Sequence, residues 1–207
     1  MNILETMYSQ IKSILFDVKK RLNMDRYYRG NIDPWSRSSS LLEIQAAVTL
    51  IADRTYSHCL DIGTGLGHFA EGVSPYCKVC TAIDISKEAI SRACRRVLNK
   101  NIDFIVSNVR TFDPRNKFDL IIGGDVLYYL GDMLLPDEFT QLIGKISSWV
   151  TEDGRLLLTH GALPSRNEDW FWHKYVKQFE LNGFRLEKSE KFEQDNITWL
   201  HAVLSKP

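Results

Sequence analysis

Neither sign of charge predominates in this chain. Lys+Arg and Asp+Glu each total 26 of 207 residues, so the formal net charge is zero. A protein that grips nucleic acid carries a basic face to neutralise phosphates, and a balanced sum argues for small-molecule partners instead. No apolar run approaches the roughly 20 residues that cross a bilayer. The opening Met1-Asn2-Ile3-Leu4-Glu5 lacks the basic-then-apolar order of a secretory leader. Cysteine is scarce, at Cys59, Cys77, Cys80 and Cys94. Cys77-x-x-Cys80 has the spacing of a zinc or dithiol motif, but no second close Cys or His pair completes a tetrahedral set, so no metal is expected. Cys80 begins an apolar strand and Cys94 lies in a helical stretch, positions where cysteine acts as a small buried hydrophobe. These absences point to a protein of the reducing cytoplasm, with no membrane, nucleic acid or obligate protein partner.

What is present is an ordinary globular balance, 44% hydrophobic and 25% charged, enough to fill one core. Over residues 1–26, Ile3, Met7, Ile11, Ile14, Leu15, Val18 and Leu22 recur at threes and fours, the spacing of an amphipathic helix. Residues 27–35 read as a loop punctuated by Gly30 and Pro34. Serines at 38–40 can cap a helix over 41–53, with Glu43 in its first turn. From Ser57 the pattern alternates. Strand-like runs at 58–62, 79–84, 103–107, 119–124 and 155–160 are interleaved with helical stretches at 66–74, 86–99 and 136–150. Such alternation predicts parallel βαβ units in a doubly wound sheet with helices on both faces. A helix over 167–181 stops at Asn182-Gly183. Two further strands, 184–192 and 197–205, close a hairpin around residues 193–196. The expected fold is thus α/β, with seven strands, mostly parallel, the last antiparallel, and an N-terminal helical extension. Residues 1–56 form that extension and its loop, residues 57–207 the sheet domain, and together they make one structural unit.

The first strand runs into Gly63-Thr64-Gly65-Leu66-Gly67. Glycines at a strand-to-helix turn let the backbone approach a ligand closely. The dinucleotide fingerprint is G-x-G-x-x-G, whereas this turn places His68 where the last glycine would stand, which disfavours a nicotinamide cofactor. The second strand ends in Asp84, about 20 residues after the turn, where a carboxylate can accept both ribose hydroxyls of a nucleoside. Capping the helix that begins at Ser86 is its other possible role. Asp125 follows Gly123-Gly124 at the end of the fourth strand, where open α/β sheets place ligands. It can cap a helix, bind an ammonium group or orient an amine.

Taken in order, LDIGTGLG, the AID strand end, FIVSNV, FDLIIGGDVLYYL and EDGRLLLTHG resemble the class I S-adenosylmethionine methyltransferases, a Rossmann-like fold, over about Ser57 to Trp199. The resemblance implies S-adenosylmethionine as cofactor and S-adenosylhomocysteine as product. It assigns Gly63, Thr64 and Gly65 to the methionine and ribose region, with Asp61 supporting the loop. Asp84, with Ile85 beside it, takes the ribose, and Asn108 and Val109 border adenine. Many members carry an acidic residue at the Asn108 position; an amide oxygen can accept the same bond without the charge. Tyr28-Arg29-Gly30-Asn31-Ile32-Asp33-Pro34-Trp35, together with Asp125-Val126-Leu127-Tyr128-Tyr129-Leu130, is similar to the nodulation protein S branch. Members of that branch N-methylate the glucosaminyl end of a chitooligosaccharide. The branch implies that the loop around Trp35 folds over the cofactor, with Arg29 and Trp35 among its contacts, and that Tyr128 and Tyr129 border the substrate.

A sulfonium methyl is already electrophilic, so orientation carries most of the catalysis. An amine acceptor must be neutral, and Asp125 or His160 is placed to take its proton. Trp170-Phe171-Trp172-His173 can either wall a substrate cleft or pack into the core. Three readings stay open at this point. One is an amine methyltransferase. The second is the same fold acting on a hydroxyl, carboxylate or nucleic acid, and the third is a non-catalytic cofactor-binding descendant.

Overall fold

The alternation folds into one seven-stranded sheet. The computed structural model describes residues 17, 19–33, 41–162, 169–194 and 196–207. The strands are β1 (Tyr56–Ile62), β2 (Cys77–Asp84), β3 (Ile102–Val106), β4 (Phe118–Gly123), β5 (Val150–Ala162), β6 (Arg185–Gln194) and β7 (Ile197–Ser205). They lie in the order β3-β2-β1-β4-β5-β7-β6. The first five pair in parallel, and β7 runs antiparallel to both β5 and β6. The expected topology is therefore the observed one. Strand order reverses at β1, which has β2 on one side and β4 on the other, so a crevice opens at their carboxyl ends.

β5 begins at Val150, five residues before the run at 155–160. Asp153 sits at φ 59 within it, and the register with β4 shifts between Phe118 and Leu120. Glu152-Asp153-Gly154 therefore has the chemistry of a turn while remaining in the ladder, which is why its sequence reads as a loop.

The described helices are α1 (19–30), α2 (Leu41–Thr49), α3 (His68–Val73), α4 (Lys87–Arg96), α5 (Val126–Met133), α6 (Pro136–Ser148), α7 (Asp169–Phe171) and α8 (Lys177–Leu181). Two of them differ from expectation. α1 continues through Gly30 instead of yielding to a loop at Tyr27, because Arg29 Nε and Asn31 Nδ2 donate to Asp25 O and Tyr27 O and extend its last turn. α5 lies outside the helical stretches expected at 66–74, 86–99 and 136–150, although a capping role for Asp125 allowed for it; its eight residues directly follow a strand. Between α7 and α8 a π turn at Trp172–Val176 widens the helix. Phe171 and Tyr175 are both almost wholly buried there, Trp172 packs half-buried against the core and His173 is exposed. Gly183 at φ 89 ends the run as expected.

Side chains alternate across the pleat. Leu60, Ile62 and Ile121 face a core with Phe139, Ile143 and Phe171, while Cys59, Leu120 and Ile122 face a second core with Ile44, Phe69 and Val73. Each such residue contributes roughly 1.5–3 kcal/mol on full burial. The cysteines depart from expectation. Cys59 is joined to Cys77 by a disulfide, not left as a buried thiol, and Cys94 is exposed; only Cys80 is a buried free thiol. Glu43 lies in the first turn of α2 as expected, and it is fully buried there, with its Oε1 3.2 Å from Nε2 of the equally buried His201 on β7.

Candidate active site

At the carboxyl end of β1 the chain turns sharply and is pinned to β2. Gly63 N and Thr64 N donate to Ile83 O at 2.8 and 3.0 Å. Gly63 and Gly65 adopt φ 72 and 55, where an L side chain is strained. Space forbids one as well. A Cβ on Gly63 would stand 2.6 Å from Val126 Cγ2, and one on Gly65 would stand 2.8 Å from the Tyr28 hydroxyl. Asp61, at the end of β1, is buried beneath the turn, and the Thr64 side chain is buried beside it.

Asp84 closes the other side. Its Oδ2 accepts from Gly65 N at 2.9 Å and its Oδ1 from Ser86 N at 2.8 Å. Burial pushes its carboxyl up to about 6, against the pull of the Ser86, Gly65 and Ile85 amides; the nearby Asp25 carboxylate adds to the rise. The helix cap belongs to Ser86, whose Oγ accepts from Ala89 N at 3.1 Å. Asp84 is therefore free of the capping role weighed for it.

Tyr28, not Arg29, carries α1 to the turn. Tyr28 is buried with its hydroxyl over Gly65, whereas Arg29 is exposed and its Nε donates back to Asp25 O at 3.3 Å. Asp25 is a second residue absent from the sequence reading. Its Oδ1 accepts from Ser86 Oγ at 2.7 Å and Glu88 N at 3.1 Å. The signal that could have found both is their i, i+3 spacing, had the helix been carried past residue 26. Trp35 lies outside the described residues.

Past β3, Asn108 heads a tight turn. Its Oδ1 accepts from Arg110 N at 3.1 Å and its carbonyl from Phe112 N at 2.8 Å. One lone pair of the amide oxygen is thus already in use, and Val109 is buried in the core. On the far side of the crevice Asp125 starts α5 without capping it. Its Oδ1 accepts from Gly161 N at 2.9 Å and lies 3.5 Å from His160 Nδ1. His160 is sandwiched: its ring stacks on Tyr128 at 5.6 Å and on Phe171 at 5.9 Å between centroids. Tyr128 therefore supports His160, while Tyr129 is 38% exposed and turns an edge to Tyr128. His173 is bonded to its own helix, Nδ1 lying 2.8 Å from Asp169 O, apart from this group.

A sequence model of the family described as nodulation protein S (NodS) matches residues 18–168, nearly three quarters of the chain. The chain belongs to the nodulation protein S family. The glycine turn, Asp84, Asn108, Asp125 and His160 fall within the matched span, while Phe171 and the β6–β7 hairpin lie beyond it. Nodulation protein S of Rhizobium tropici is 34% identical over 131 residues, which is 60% of this chain and 53% of that protein. An uncharacterized methyltransferase, YcgJ, of Bacillus subtilis is 26% identical over 156 residues, 73% of this chain and 56% of its own length. The chain spans about half the length of these curated relatives. Among solved structures, the N-methyltransferase NodS of Bradyrhizobium japonicum WM9 in complex with S-adenosyl-L-homocysteine superposes with a TM-score of 0.71. It is 24% identical, covering 90% of this chain and 98% of that one, a likeness of fold.

Proposed function

We propose that this NodS-family chain is a methyltransferase that uses S-adenosylmethionine and methylates the amine of an amino sugar at the end of a chitooligosaccharide-type acceptor. The observation that carries the reading is the Asp84 carboxylate, buried and tied by main-chain N–H groups to a turn that has no room for side chains. The residues fit the cofactor. Among the described residues, the buried Thr64 Oγ1 at the turn has no hydrogen-bond partner, and Gly63 beside it is exposed. The family relationship and the name of the Bradyrhizobium structure support the same cofactor and an amine acceptor.

When bound, the cofactor supplies an electrophilic methyl group on a sulfonium. Asp84 accepts the ribose hydroxyls, with Ile85 against the sugar and Asn108 and Val109 beside adenine. Gly63, Thr64 and Gly65 hold the methionine end, and Asp61 supports their turn. Asp125 orients the incoming amine, and His160, braced by its two rings, stands behind Asp125 to take up the proton. Tyr129 borders the acceptor. Holding amine and methyl in line is worth up to roughly 11 kcal/mol.

Incubation with methyl-labelled cofactor and a panel of glucosamine oligomers, phenols and RNA tests the acceptor. Label is expected in the amino sugars; label confined to phenols or RNA would replace the amine reading.

A further inference from the structure

Among the described residues, α1 and its flanks meet the rest of the molecule at points that include three hydrogen-bonded ones. Arg110 Nη1 meets Asp17 at 2.8 Å, Arg92 Nη1 donates to Tyr28 O and Asn31 O at 2.7 Å each, and Asp25 engages Ser86. The third point lies directly behind Asp84. Ser86 is wholly buried; its hydroxyl donates to Asp25 and accepts from Ala89 N, while its backbone N–H is one of the two amides holding Asp84. Asp25 Oδ1 also takes Glu88 N, so one carboxylate fixes both the start of α4 and the hydroxyl of its cap. Setting a second carboxylate this close to Asp84 is electrostatically unfavourable. Two bonds accepted by one side-chain oxygen hold Ser86 in one orientation.

We propose that Asp25 is a positioning residue for the ribose: it fixes Ser86, and through the Ser86 amide it sets the Asp84 carboxylate for both ribose hydroxyls. This inference rests on the cofactor reading above. It makes a helix outside the sheet part of the nucleoside-recognition machinery.

The test is calorimetric titration of wild type, Asp25→Ala, Asp25→Asn, Asp84→Ala and the Asp25→Ala/Asp84→Ala double variant. The ligands are S-adenosylhomocysteine and its 2′,3′-dideoxy analogue. Asp25→Ala should lose about tenfold in affinity for S-adenosylhomocysteine and less than about threefold for the dideoxy analogue, since only the hydroxyl contacts depend on Asp84. Asp25→Asn, whose Oδ1 still accepts both bonds, should recover most of the loss. In the Asp84→Ala background Asp25→Ala should change almost nothing, the non-additivity of two residues acting through one contact. Equal losses for both ligands, additive losses in the double variant, or Asp25→Asn no better than Asp25→Ala would each overturn the proposal and leave Asp25 as an anchor for α1. Wild type binding neither ligand would instead overturn the cofactor reading.

Discussion

The two sides of the crevice hold their polar groups by different means. On the β1–β2 side the main chain does it: Asp84 is gripped by two backbone amides, and the turn above it is fixed by two more bonds to Ile83. On the β4–β5 side, side chains do it. His160 is centred by two flanking rings, and Asp125 sits at 3.5 Å from it, with 28% of its side chain still exposed. The first arrangement admits few alternatives and suits a ligand that never varies. The second has slack and suits an acceptor on which specificity can be adjusted.

This contrast breaks most sharply where chemistry and binding separate. Asp125→Asn keeps an oxygen for the Gly161 amide but loses the charge that orients the amine and faces His160. Its kcat for methyl transfer should fall about 100-fold or more, while affinity for S-adenosylhomocysteine, measured calorimetrically, should fall less than about tenfold. Comparable losses in both would place Asp125 with the cofactor and not the acceptor. The two sides meet at Gly63, packed against Val126 at the start of α5. Gly63→Ala forces a left-handed Ala into a side chain and should cost roughly 2–4 kcal/mol in urea unfolding. A loss under about 0.5 kcal/mol would show that the sides move independently. Asp84→Ala should weaken S-adenosylhomocysteine binding by about 1.5–3 kcal/mol, the worth of charged hydrogen bonds, with no change in fold by circular dichroism.

The smallest effect is one of pH. The Asp84 carboxyl is raised from its ordinary 3.8 to about 6 by burial, and the ionised form is the one that accepts ribose hydroxyls. Cofactor affinity should therefore fall as pH drops below about 6, and Asp84→Asn should abolish that slope. Stability of the free protein runs the other way. A folded-state value above the unfolded one gives stability that is full below about 4 and lost as pH rises through about 6. A melting-temperature profile without that decline would contradict the burial of Asp84.

The same division governs what was legible in the sequence. Gly63, Gly65 and Asp84 lie within one βαβ unit, so local spacing alone places them, and the mostly parallel seven-stranded sheet followed from the alternation of periods. Residues brought together by packing were harder. Asp125 and His160 could be named as candidates from their strand ends, but the rings of Tyr128 and Phe171 that bracket His160 come from two helices far apart in sequence. Asp25 and Tyr28 were missed because Gly30 and Pro34 read as loop chemistry, while side-chain bonds to the backbone carried the helix on. The Cys59–Cys77 bond was not legible either: the β1–β2 register sets Cys59 opposite Cys80 and Tyr56 opposite Cys77, so neither spacing nor pairing singles it out.

The central claim is that this turn and Asp84 together select one nucleoside cofactor. Parallel calorimetric titrations of the wild-type chain with S-adenosylhomocysteine and with NAD test it most directly. S-adenosylhomocysteine should bind with one site per chain, and its affinity should collapse in Asp84→Ala, while NAD gives no heat of binding. Binding of NAD in preference to S-adenosylhomocysteine, or affinity indifferent to Asp84, would contradict the account.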